Sequence, residues 1–139
     1  MKVIIDTNVF VSGIFWDGPP NVILRACNLG KLKLVLSSEI LQEYKRIAFK
    51  TSLKFPGVDL APFITLLGTQ ASIYDAPALP QALCEDPDDD KFLACAVASK
   101  VSLIVTGDKA LLKLDGYQGI VILKPKDFVK QYLKQGEKP

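Results

Sequence analysis

DPDDDKFLACAVASKVSLIVTGDKALL, residues 86–112, is the stretch whose reading decides the fold. An acid run opens a helix that continues from Phe92 to Ser99 with apolar residues nearly all round, and the strand Val101 to Thr106 follows and ends at Gly107-Asp108. A helix and a strand that are both apolar on every face belong to an α/β sheet covered on both sides. Carboxylates gathered at the edge of such a core raise one another's pKa, and partial burial disfavours their ionisation, unless a cation shares them. The pattern therefore points to a metal site.

Outward from that stretch, the same grammar recurs at the N-terminus. Val3-Ile4-Ile5 is a β-branched central strand that stops at Asp6-Thr7-Asn8, so an acid again stands at a strand's carboxyl end. If the two strands are neighbours at the topological switch point of an open, mostly parallel sheet, Asp6 and Asp108 converge where ligands collect. Val9 to Pro20 reads as a connection, broken by Gly13, Gly18 and Pro19-Pro20, with Phe15 and Trp16 as core or partner surface; a helix from about Asn21 to Leu29 is closed by Gly30. Leu34-Val35-Leu36 is a second strand, and Ser37 or Ser38 caps a helix to about Phe49. On that helix Ile40, Leu41, Tyr44, Ile47 and Ala48 form one stripe, with Glu43 at its margin, able to reach a shared site; Glu39 is a cap-region charge.

A weaker helix spans about Val58 to Leu67, Ala71 to Tyr74 suits a short edge strand, and the proline-bearing Ala76 to Cys84 is a loop or one helical turn. Asp108 can cap a short helix through Leu112; a last strand covers Ile120 to Leu123, and Pro125 starts a helix ending near Leu133, with a flexible basic tail over 134–139. The 139 residues suffice for one domain with a continuous core.

Composition removes several classes of function. With no histidine, Ser-His and Cys-His catalysis are excluded, and with no CxxC pair any bound metal must take oxygen ligands, which selects magnesium or manganese over zinc or copper. Cys27, Cys84 and Cys95 have no paired spacing and read as small core residues in a reducing compartment. The apolar runs are strand-sized and Lys2 leads straight into the first strand, so neither a membrane span nor a signal peptide is expected, and the expected location is cytoplasmic. The net charge is +2, yet acids committed to a metal leave a distinctly basic remainder, suited to a polyanionic partner.

An all-oxygen pocket built from Asp6, Glu43, Asp108 and the acids around Asp90 can hold one or two magnesium or manganese ions, and phosphodiester hydrolysis is the natural reaction. Thr7, Asn8 and Thr106 flank the acids as supporting hydrogen-bonding groups. Each residue alone also has a plain structural use: turn chemistry for Asp6 to Asn8, an N-cap for Asp108, helix-start charge for Asp88 to Asp90, a surface acid in Glu43. Their joint placement on the two most buried strands and the adjacent helices favours the site.

DTNVFVSGI, SSEILQEY, DPDDDKFLACAVA and VTGDKALL, in this order across essentially the whole chain, resemble the PIN domain family, and within it the toxins of toxin–antitoxin pairs related to the VapC type. The resemblance implies a three-layer α/β/α fold around a central, mostly parallel sheet of four to five strands. It implies a catalytic, metal-holding tetrad of Asp6, Glu43, Asp90 and Asp108, with Thr106 in support; Asp86 and Asp88 are left as candidates for outer ligands. The acid-x-apolar-apolar-Ala pattern of the family selects Asp90, a choice the helical wheel leaves open. Also implied are a magnesium- or manganese-dependent endoribonuclease acting on RNA, a homodimer, and an inhibiting antitoxin protein. Alternatives are a PIN scaffold that binds RNA or protein without cutting, and a haloacid-dehalogenase-like phosphatase, whose first motif requires a second acid where this chain has Asn8.

Overall fold

The computed structural model describes residues 1–77, 79 and 89–133. Cys84, Asp86, Asp88, the tail 134–139 and most of the loop expected before Cys84 lie outside the described residues. Five strands form one sheet in the order β3-β2-β1-β4-β5: β1 (Lys2–Ile5), β2 (Lys33–Ser37), β3 (Ser72–Tyr74), β4 (Leu103–Val105) and β5 (Val121–Leu123). Every pairing is parallel, so the expectation of a mostly parallel sheet sharpens to an all-parallel one. Helices flank it in an α/β/α arrangement.

The strands behave as their composition dictates. Val3, Ile4 and Ile5 in β1 and Ile104 and Val105 in β4 are wholly buried, as a strand covered on both faces must be. At one edge Ile73 of β3 is half exposed, consistent with its reading as an edge strand. Chain order runs from β1 outward through β2 to β3, then returns to the other side of β1 for β4 and β5. The switch point therefore falls between β1 and β4, which pair Ile4 with Ile104 and Ile5 with Val105.

One expectation fails. Val9 to Pro20 is not an open connection: α1 (Thr7–Phe15) starts one residue after β1, and α2 (Pro19–Asn28) follows. Gly13, read as a breaker, is a contact residue instead. A Cβ at that position would stand 2.7 Å from Leu24 Cδ1 and 2.8 Å from the Pro20 carbonyl oxygen, so only hydrogen lets α1 and α2 approach so closely. Asn21 completes the junction by donating from Nδ2 to the Gly13 carbonyl at 2.8 Å. Gly18, at φ 128°, makes the turn between the two helices.

The remaining helices sit near their sequence signals. Ser37 caps α3 (Ser38–Ser52), its hydroxyl accepting from the Ile40 amide, and Pro62 lies at the start of α4 (Ala61–Thr65), which continues as a π-helical turn through Gln70. After β3 come α5 (Asp90–Ser99), α6 (Lys109–Leu112) and α7 (Pro125–Phe128), the last with proline at its first position and a π-helical turn to Leu133. Phe92 to Ala96 of α5 are buried, as the apolar composition required. Among the described residues no helix is long and apolar enough to cross a membrane.

Candidate active site at the carboxyl ends of the central strands

Asp6 and Thr106 each follow the last residue of a central strand, and because Ile5 pairs with Val105 they stand side by side. The Asp6 amide donates to the Val105 carbonyl at 2.9 Å and its carbonyl accepts from the Phe10 amide at 3.0 Å, so this residue closes β1 and opens α1 at once. Its carboxylate makes no helix-capping bond. Instead Oδ2 accepts the Thr106 hydroxyl at 2.6 Å, and the same hydroxyl accepts the Asp108 amide at 3.0 Å. The Asp6 side chain thus does more than local turn chemistry, reaching across to the end of β4. Asp108 does cap α6, by a long 3.4 Å bond from the Ala110 amide to Oδ1, while also reaching the site.

Glu43 arrives from α3 and its position is fixed by two neighbours. Tyr44, wholly buried, stacks on Phe10 of α1 with centroids 4.0 Å apart and donates its hydroxyl to the carbonyl of Ile5. Thr7 donates its hydroxyl to Glu43 Oε1. Two consecutive residues of α3 are therefore tied to the residues on either side of Asp6. The other carboxylate oxygen, Oε2, takes the ammonium of Lys91 at 2.6 Å.

These groups surround one cavity of about 590 Å³ lined by Asp6, Thr7, Asn8, Val9, Ser12, Pro20, Glu43, Asp89, Gly107, Asp108 and Pro125. The structure thus brings together Asp6, Glu43 and Asp108, with Thr7 and Asn8 on the wall and buried Thr106 behind it. From the acid run it is Asp89 that lines the cavity; Asp90, half-buried, is the next residue and the first of α5. Asp89, expected to serve as a helix-start charge, does stand at the start of α5 as its N-cap residue, without a side-chain capping bond, and also lines the cavity. The outer acids Asp86 and Asp88 fall outside the described residues.

The electrostatics follow from burial. Asp6 is 6% exposed, and its pKa is raised, first by burial and further by the charges of Asp108 and Glu43, while the Thr106 hydroxyl and the Thr7 backbone pull it back. A carboxyl caught between these influences gains from a cation. The donors fit a hard ion: all are oxygen, and Asp6, Glu43 and Asp108 come from separate segments of chain. Among the described residues no three acidic or thiol side chains form a ready-made ligand cluster. An ion here would be held by the carboxylates that line the cavity, with water completing its shell, the manner of magnesium. Cys27 and Cys95 take no part: both are buried, and burial pushes each thiol up to about 12.

Two contributors escaped the sequence reading. Ser12 shares the cavity with Asn8 because the two are four residues apart on α1, a relation visible only once that segment is helical. Lys91 stands in the first turn of α5, where a cation opposes the helix dipole. That misplacement is itself a signal that a carboxylate must lie close by.

Comparison with protein families matches residues 2–110 to the PIN domain. The chain is also 32% identical over 145 aligned positions to the uncharacterized protein MJ1680 of Methanocaldococcus jannaschii, a match covering 96% of this chain and 93% of that one. With the all-parallel sheet and the acids at its switch point already in place, the conclusion is that this chain belongs to the PIN domain family.

Proposed function

We propose that the protein is a metal-dependent endoribonuclease that hydrolyses RNA phosphodiester bonds in the cytoplasm, and that it is the toxin of a type II toxin–antitoxin pair. The observation that carries the nuclease reading is the convergence of Asp6, Glu43, Asp89 and Asp108, from four segments of chain, on one cavity at the β1/β4 switch point. Family membership supports it, since PIN domains are typically metal-dependent ribonucleases.

In this reading Asp6 and Asp108 hold one or two magnesium or manganese ions with Glu43. The start of α5 supplies the fourth acid, Asp89 standing on the cavity wall and Asp90 in the position the family pattern marks. Bound there, the ion supplies Lewis acidity and lowers the pKa of water. Thr106 fixes the direction in which Asp6 points its carboxylate and ties it to the Asp108 backbone. Asn8, exposed on α1, and Ser12 beside it offer hydrogen bonds to the substrate's backbone. Asp86 and Asp88 remain outer ligands in the proposal.

A toxin needs a surface for its inhibitor and for its own partner subunit. Trp16, Phe49, Leu53, Phe55 and Ile64 are exposed, and Phe15, Trp16 and Phe55 form one aromatic group with ring centroids 5.4 to 6.1 Å apart. This flank of α1, α3 and α4 is where a second copy or an antitoxin would bind.

The metal site is tested by thermal unfolding across millimolar manganese and magnesium. Binding at a hundredfold excess over Kd stabilises by about 2.7 kcal/mol, several degrees in Tm for a chain of this size. Asp6→Asn is expected to remove most of that rise. Identical melting curves with and without metal would refute the site.

A further inference from the structure

Lys91 is a cation that the acidic site carries with it. We propose that it neutralises Glu43 in the ion-free protein, yields that carboxylate when a divalent ion enters, and then offers its ammonium to a phosphate of the substrate. The inference rests on the metal-dependent reading above and deepens it.

Its placement calls for a reason. Lys91 is the second residue of α5, at the positive end of that helix, where a lysine is disfavoured unless acids compensate. One such acid is Glu43: Nζ lies 2.6 Å from Oε2, with the two side chains only 11% and 18% exposed, and the ammonium also lies over the Phe92 ring, 5.5 Å from its centroid. Glu43 is thus engaged at both oxygens, by the Thr7 hydroxyl at Oε1 and by Lys91 at Oε2. An ion that enters the cavity lined by Glu43 meets an occupied carboxylate.

In the proposal the divalent ion wins this competition. A divalent ion at comparable distance attracts a carboxylate twice as strongly as an ammonium does, and once bound it repels that ammonium. The lysine stem has several rotatable bonds, so the ammonium can leave Glu43 while α5 stays in place. Lys91 lies two residues after Asp89, which lines the cavity, so the released ammonium stays tethered beside a substrate phosphate bound there. Lysine binds phosphate as a point charge and needs no fixed fork geometry.

Amine-selective acylation of the full chain, read by peptide mass spectrometry with and without saturating manganese, tests the release. Lys91 should react slowly in the ion-free protein and several-fold faster with manganese, while exposed Lys50 keeps one rate. Lys91→Met should bind manganese about fivefold or more tightly, since a competing positive charge is gone. In the loaded enzyme it should raise KM about tenfold with kcat little changed, the size of one charge-assisted hydrogen bond. If manganese raises Tm but leaves Lys91 labelling unchanged, the ion pair survives ion entry, and this proposal falls while the metal site stands. If manganese changes neither Tm nor labelling, the metal-dependent reading falls and takes this one with it. An unaltered KM in Lys91→Met overturns the phosphate role.

Discussion

The Thr106 hydroxyl donates to the Asp6 carboxylate at 2.6 Å, joining two residues 100 apart in sequence. The bond exists because β1 and β4 are parallel neighbours in a register that sets the residues after Ile5 and Val105 side by side. Topology, then, places the candidate site: two strands that end together deliver an acid and its hydrogen-bonding partner to one point.

Replacing that hydroxyl by a methyl tests the relationship. Thr106→Val keeps the volume and removes the donor that lowers the Asp6 pKa, so that pKa rises further. Asp6 must be ionised to hold a cation, so the acid limb of the cleavage pH profile is expected to move to higher pH. Folding stability should fall by about 1–3 kcal/mol, the cost of leaving a buried acceptor unpaired. Thr106→Ser should restore both; a profile that stays put in Thr106→Val would separate Thr106 from the chemistry.

Asp6 itself makes the ion-free protein sensitive to pH. Its pKa is raised on folding above the ordinary 3.8, so the folded state holds the proton more tightly than the unfolded state does. Its contribution is fully favourable below pH 3.8 and is lost as pH rises through the folded-state pKa. Asp6→Asn should therefore be more stable than wild type at neutral pH without metal and less stable than wild type with it. Denaturant unfolding at both conditions checks the crossing, and a variant less stable in both would contradict it.

Gly13 carries a structural prediction. A methyl group there meets Leu24 and the Pro20 carbonyl at under 3 Å, and carbonyl oxygens of a helix start do not yield as a side chain does. Gly13→Ala is expected to cost about 1–3 kcal/mol by overpacking. It should also loosen the α1 face that carries Asn8 and Ser12, which a hydrogen-exchange measurement on α1 would register. A neutral or stabilising result would mean that α1 and α2 separate without cost.

The Tyr44 hydroxyl binds the carbonyl of Ile5, one residue before Asp6, and the residue just before Tyr44 on α3 is Glu43. Tyr44→Phe should lose about 0.5–1.5 kcal/mol of stability. It should also weaken manganese binding more than a distant change of equal stability cost, because it frees α3 relative to β1. Equal effects from the two would reduce Tyr44 to a core residue.

Much of this was legible in the sequence, for identifiable reasons. Strands buried on both faces announce themselves as apolar runs, so β1, β2, β4 and β5 were found, along with the acids that end β1 and follow β4. Glu43 could be singled out because an amphipathic helix displays its margins, and the structure sets it on the cavity wall. Two things were hidden. Helix α1 is buried on so much of its surface that no polar face marks its period, and its glycine looks like a breaker until a second helix is placed against it. The acid run before α5 opens a helix that is likewise apolar all round, so nothing local says which acid turns to the cavity; the structure puts Asp89 on its wall.

Cleavage of RNA by the wild-type protein and by Asp108→Asn, side by side, with magnesium or manganese and with chelator, bears most directly on the central claim. The account predicts defined internal cuts by wild type that vanish with chelator and fall about a hundredfold or more in Asp108→Asn, as for loss of a group acting on the reacting centre. Equal cutting by the two proteins, or cutting that survives chelation, would contradict it.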